Sequence, residues 1–232
     1  DILAAVHGAK PFVTSDVPYK DWVSHVQREL APVDAGRFFV YGSHDADKVP
    51  AGVTGLLIDA AMAFGTGHHG TTLGCLKAFD ALLTTGFVPR NAADIGCGTA
   101  VLAMAAAHDS PNPVLASDID PVAIDVARAN VAANGLDGRV ICLEAAGFDA
   151  APLAEAAPFD LIFANILKGP LVHLAPAMAE ATKTGGTVIL SGILNEQADD
   201  VIAVYCQNGY SLSHRDEIVE WTTLTMAKTS VV

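Results

Sequence analysis

The 232-residue chain is 51% hydrophobic and only 17% charged, which supplies apolar material for a sizeable core and excludes a disordered chain. Its 13 basic residues stand against 26 acidic ones for a formal net charge of −13, so long-range repulsion disfavours non-specific binding to a phosphate backbone. No CxxC pair occurs among Cys75, Cys97, Cys142 and Cys206, and no apolar run approaches the ~18 residues of a membrane span, which argues against a disulfide framework, a zinc site and a membrane helix.

Sixteen residues without clear pattern come first. Pro18 then precedes a helix with Trp22, Val26 and Leu30 at four-residue spacing, and Phe38 to Tyr41 reads as a strand. A glycine-rich segment, Ala63-Phe64-Gly65-Thr66-Gly67-His68-His69-Gly70-Thr71-Thr72, leads into a helix from Leu73 to Leu83, with Thr71 or Thr72 in position to cap it. The paired histidines lack the further ligands a metal site needs, so no metal is expected.

From about residue 92 short β-rich runs alternate with helical patterns, the mark of βα units and an α/β fold with a parallel sheet. The strands are expected at Ala92 to Ile95, Val114 to Ser117, Val140 to Leu143, Leu161 to Ala164 and Thr187 to Leu190. Asp120 as N-cap, Pro121 in the first turn, an Ile124, Ala127 and Val131 stripe and the Asn134-Gly135 stop define a helix. Glu196 to Gln207 reads as a further helix. Tyr210 to Ser213 and Val219 to Met226 read as antiparallel strands flanking a charged turn.

Three stretches carry chemistry. Asp94-Ile95-Gly96-Cys97-Gly98-Thr99-Ala100 follows a strand and opens an Ala-rich helix, a turn whose glycines let backbone N–H groups approach a nucleotide cofactor; an ordinary tight turn would use the same residues. Asp118, about 20 residues on, ends the next strand, where a carboxylate accepts ribose hydroxyls. Val101 occupies the third glycine position of a dinucleotide fingerprint, which opposes a nicotinamide-dependent oxidoreductase. Asn165 closes the fourth strand in Phe163-Ala164-Asn165-Ile166-Leu167-Lys168, at the edge where open sheets bind ligands; its amide oxygen can accept from an amine, or the residue can serve only as a turn. Lys168 reads as a solvated charge.

The Asp-x-Gly-Cys-Gly turn resembles motif I of the class I S-adenosylmethionine-dependent methyltransferases, with Ala100 standing where glycine is usual. The succession AFGTGHHGTT, DIGCGTAVLAMAA with SDIDPVAIDVARANVAANG, and FANILKGPL with LSGIL is similar to the ribosomal protein L11 methyltransferase family from Asp21 to Ala227. His68-His69-Gly70 replaces the more usual Thr-His-Pro. The resemblance implies a Rossmann-like fold with a mostly parallel seven-stranded sheet and an antiparallel C-terminal hairpin, in a catalytic domain at 46–232 preceded by a linker and extension at 1–45. It implies S-adenosylmethionine as cofactor, bound by Phe64, Thr66, Thr72, Asp94, Gly96, Gly98, Asp118 and Asn165, with Asp94 facing the methionine ammonium and Asn165 orienting the acceptor.

The implied substrate is a basic ribosomal protein, methylated on its N-terminal α-amine and lysine ε-amines in the cytoplasm, with no direct nucleic-acid binding and no membrane. A lysine of another protein, a small molecule or RNA base, and a non-catalytic binding module are the alternatives. Family members carry an N-terminal recognition domain ahead of the linker, so a chain opening at Asp1 is expected to retain the catalytic fold and to recognise the ribosomal protein poorly.

Overall fold

The computed structural model describes residues 32–59 and 70–229. The expected helix carrying Trp22, Val26 and Leu30 lies outside the described residues.

Two sheets are present among them. The smaller is built from β1 (Val33–Ala35), β2 (Phe38–Tyr41) and β3 (Thr54–Leu57), with β2 antiparallel to β1 and parallel to β3. The larger contains β4 (Ala92–Ile95), β5 (Val114–Asp118), β6 (Val140–Glu144), β7 (Phe159–Asn165), β8 (Thr182–Leu194), β9 (Tyr210–Ile218) and β10 (Trp221–Lys228). Their spatial order is β6-β5-β4-β7-β8-β10-β9. The first five run parallel, and β10 is antiparallel to both β8 and β9. This is the α/β architecture with an antiparallel C-terminal pair that the sequence implies.

The helices are α1 (Gly70–Thr84), α2 (Val101–Asp109), α3 (Pro121–Ala133), α4 (Ala151–Ala156), α5 (Lys168–Ala181) and α6 (Ala198–Gln207). They cover both faces of the larger sheet, which is why its central strands are continuous apolar runs. Alternation along β7 divides the core. Leu161 and Phe163 face a cluster with Leu76 and Phe79 of α1, Met104 of α2 and Ile124 of α3, whereas Ile162 and Ala164 face Leu153, Leu171, Met178 and Tyr205 of α4, α5 and α6.

The smaller sheet is fastened to the first of these layers. Phe38 stacks on Phe79 at 5.6 Å between ring centroids, and Phe79 meets Phe163 edge-on at 5.4 Å. Arg37 Nε donates to Asp80 Oδ1 at 2.6 Å. At the other end Asn134 accepts from Leu57 N–H at 2.9 Å and donates to Leu57 O at 2.7 Å, so its amide pairs with the end of β3 as a neighbouring strand would.

Several elements depart from their expected limits. β9 continues through His214 to Ile218, which had read as a charged turn; the turn is only Val219 and Glu220. Backbone pairing of His214 to Ile218 with Trp221 to Thr225 of β10 holds this stretch as strand, and Arg215 on it pairs with Asp199 at 2.8 Å and Glu217 at 2.6 Å. α1 already includes Gly70, which places Thr71 and Thr72 inside its first turn, both buried, rather than ahead of it as caps. Lys168 is not simply solvated: its ammonium lies 2.6 Å from Asp200 of α6. α3 follows its signals closely, with Asp120 Oδ1 accepting from Val122 N–H at 2.9 Å and Ile124, Ala127 and Val131 buried.

Candidate functional site

Because β4, β5, β7 and β8 are parallel neighbours, their C-terminal ends share one edge. The sequence-predicted site residues that are described gather there in two groups.

The first group is built mainly from backbone. After Ile95 the chain turns through Gly96 (φ +74), Gly98 (φ +53) and Ala100 (φ +61) before α2 begins at Val101. Three left-handed positions in five residues give a tight coil, and alanine is strained at the last of them. The N–H groups of Gly96 and Cys97 donate to Ser117 O at 2.8 and 2.9 Å, tying the turn to β5. Asp118 completes the tie. Its Oδ2 accepts from Gly98 N–H at 2.9 Å and its Oδ1 from Asp120 N–H at 3.0 Å. Each carboxylate oxygen keeps a second acceptor position for a hydroxyl.

Asp94 lies beneath this turn, 1% exposed. Ala100, the N-cap of α2, has no side chain with which to cap it. Asp94 Oδ2 supplies that bond from the adjoining strand by accepting from Ala103 N–H at 3.1 Å, and the helix dipole favours a carboxylate there. Its Oδ1 is buried without a hydrogen-bond partner. Burial pushes the Asp94 carboxyl up to about 7, the Ala103 N–H opposes the rise, and the Asp118 charge adds to it. A buried, half-satisfied carboxylate suits a cationic group arriving from the ligand side.

The second group is built from side chains. Asn165 ends β7 opposite Ser191 of β8, and its Nδ2 donates to Thr72 Oγ1 of α1 at 3.3 Å. That bond fixes the amide. Its oxygen receives no hydrogen bond among the described residues and is the available acceptor. Behind it, Ser191 Oγ donates to Thr222 O at 2.9 Å and lies 3.0 Å from Thr223 Oγ1, so β8 and β10 are pinned beside the site.

The structure therefore joins Thr72 to Asn165 across 93 positions of sequence and collects Asp94, Gly96, Gly98 and Asp118 at the adjoining strand ends. Phe64, Thr66, His68 and His69 lie outside the described residues. Ser191 and Thr223 escaped the sequence reading, since a serine or threonine within an apolar strand signals nothing until its cross-strand partner is known. The four cysteines are free, and burial keeps Cys75 and Cys97 in the thiol form, their pKa values raised further by the Asp94 charge.

Comparison with known proteins gives this arrangement a family. The model of the ribosomal protein L11 methyltransferase (PrmA) family matches residues 4–229. The chain belongs to that family. A relative named ribosomal protein L11 methyltransferase, from Brucella suis, is 48% identical over 211 residues, covering 91% of this chain and 73% of the relative. Another of the same name, from Chelativorans sp., is 47% identical over 229 residues and covers 97% and 78%. Among solved structures, a ribosomal protein L11 methylase from Lactobacillus delbrueckii subsp. bulgaricus superposes with a TM-score of 0.73 over 87% of this chain and 99% of that one. At 22% identity that likeness speaks for the fold. This L11 methyltransferase family member thus places its motif I turn and its Asn165 on one edge of a class I methyltransferase sheet.

Proposed function

We propose that this protein transfers methyl groups from S-adenosylmethionine to the N-terminal α-amine and lysine ε-amines of ribosomal protein L11. The observation that carries the reading is the Asn165 amide, held by Thr72 with its oxygen available, beside a glycine turn whose carboxylates still offer acceptor positions.

When bound, S-adenosylmethionine supplies an electrophilic methyl on a sulfonium. Asp118 accepts the ribose hydroxyls with the acceptor positions left by Gly98 and Asp120. Asp94 Oδ1 receives the ammonium of the methionine end, which removes the energetic penalty of an unpaired buried acceptor. The Gly96 to Gly98 backbone allows close approach, and Thr72, at the start of α1, would add a further contact to the cofactor. Asn165 accepts an N–H of the incoming amine and aims its lone pair. Positioning is the main contribution, since in-line attack needs a neutral, aligned nucleophile. Partial desolvation and a neighbouring positive charge lower the amine pKa, so no side chain is assigned as general base. The −13 net charge favours a basic protein partner and disfavours nucleic acid, and the cytoplasm, where ribosomal proteins meet their modifying enzymes, is the proposed location.

Incubation with ribosomal protein L11 and S-adenosylmethionine tritiated on the methyl tests this. The expected outcome is label in L11, with peptide mass mapping to its N-terminus and lysines. Label in another protein alone would overturn the substrate, and failure of any acceptor in a whole extract to take label would overturn the activity.

A further inference from the structure

Ile166, the residue after Asn165, occupies a slot made by two glycines from different strands. Its backbone crosses Gly192 of β8, where a Cβ would lie 2.4 Å from Ile166 O, 2.7 Å from its C and 2.9 Å from its N. Its side chain lies over Gly96, where a Cβ would meet Ile166 Cγ2 at 2.3 Å. Ile166 N–H also donates to Ser191 O at 3.2 Å. Both separations are far inside van der Waals contact, so no larger residue fits at either position while Ile166 stays in place. One residue is thus held by its backbone on the β8 side and by its side chain on the β4 side. The absence of a Cβ at Gly96 accordingly has a protein-side cause as well as any ligand-side one.

We propose that Ile166 is a positioning residue whose backbone, seated against Gly192, and whose β-branch, seated over Gly96, together set the distance between Asn165 and the Gly96 to Gly98 turn. The proposal rests on the reading of Asn165 as the group that orients the acceptor amine. Asn165 precedes the clamped residue directly, so any shift of Ile166 is carried into the amide through one peptide unit. Cγ2 is attached to Cβ, and its place is therefore set by χ1 alone, the torsion that a β-branched residue holds most tightly. Leucine has the same number of atoms but no methyl on Cβ, and cannot seat a branch over Gly96 without moving the backbone. Valine keeps the branch. A displacement of about 1 Å in a reacting group is enough to lower a rate on the order of a hundredfold.

The test compares wild type, Ile166→Val, Ile166→Leu, Ile166→Ala and Asn165→Ala in three measurements: kcat for L11 methylation, S-adenosylmethionine affinity by calorimetry, and the thermal midpoint. Ile166→Val is expected to keep kcat within about threefold, while Ile166→Leu and Ile166→Ala lose about tenfold or more with cofactor affinity held within about threefold. A merely structural role would follow side-chain volume, so Leu would outperform Ala and Val would hold no advantage; that result overturns the proposal. So does a parallel loss of cofactor affinity, which would show that Ile166 supports the glycine turn rather than Asn165. Ile166 is only partly buried and packs at the margin of the second core, so Ile166→Ala, which introduces no clash, decides the matter if Ile166→Leu fails to fold. Slow Asn165→Ala with normal Ile166→Leu and Ile166→Ala defeats the clamp alone. Unimpaired Asn165→Ala defeats the functional reading and the clamp with it.

Discussion

The two halves of the site are made of different materials. At the ends of β4 and β5 the site is main chain: Gly96, Gly98 and Ala100 in left-handed conformations, tied to Asp118 and Ser117 by N–H bonds. At the ends of β7 and β8 it is side chain, with Asn165 held by Thr72 from a distant helix and Ile166 set between two glycines. A backbone cradle is encoded within a few residues and tolerates little change of shape. A side-chain constellation depends on how α1, β8 and β10 are packed against one another. Cofactor affinity should therefore be governed by the first half and turnover by the second.

The largest expected effect lies in the cradle. Burial raises the pKa of Asp94 in the folded protein to about 7, well above the ordinary carboxylate value of about 4. Between about pH 4 and about pH 7 the folded protein keeps a proton that the unfolded chain has released, so stability is fully present below that window and falls as pH rises through it. The slope is about 1.4 kcal/mol per pH unit. In urea unfolding across this range, Asp94→Asn should remove that part of the slope, and an identical slope in the variant would contradict the assignment. By the same linkage, an ammonium placed against Asp94 should expel the proton, so S-adenosylmethionine affinity should rise with pH up to about 7.

Asp118→Ala comes next. It removes the carboxylate from both loop N–H groups and from the ribose, and calorimetry should show cofactor binding weakened by roughly 1.5 to 3 kcal/mol; unchanged affinity would refute the ribose assignment. On the other half, Gly74→Ala reverses a common expectation. In most helix interiors that change stabilises by about 1 kcal/mol. Here the new Cβ would stand 2.2 Å from Thr223 Oγ1 and 3.1 Å from its Cβ, driving α1 away from β10. A net loss of about 1 to 2 kcal/mol in urea unfolding is expected, and a gain would show that α1 moves freely. The smallest effect is Ala100→Gly, which relieves a left-handed alanine at the cost of chain entropy. A gain of about 0.5 to 1 kcal/mol is expected from the same experiment.

Legibility in the sequence follows the same division. α3 could be bounded almost to the residue because Asp120, Pro121 and Asn134-Gly135 act on their immediate neighbours, and the Gly96 to Gly98 turn with Asp118 was visible for the same reason. Asn165 was visible only as a strand end. Its bond to Thr72 spans 93 positions, and Thr72 itself had read as a cap of the helix that in fact contains it. β1 and β3 went unrecognised because Val33-Asp34-Ala35 and Thr54-Gly55-Leu56-Leu57 lack the unbroken run of β-favouring residues that marks β2, and what fixes β3 in place is pairing with β2 and the amide of Asn134 just past α3. The charged run of β9 read as a turn because its composition is polar, whereas its backbone pairs residue by residue with β10. Residues satisfied locally announce themselves. Those satisfied across the fold do not.

The division of labour between cradle and amide is tested most directly by titrating S-adenosylmethionine into the Asn165→Ala protein in a calorimeter. The prediction is an affinity within about threefold of wild type, since the charged and backbone contacts assigned to the cofactor, those of Asp94, Asp118 and the glycine turn, come from the ends of β4 and β5. A loss as large as that of Asp118→Ala would contradict it and place Asn165 in the binding half of the site.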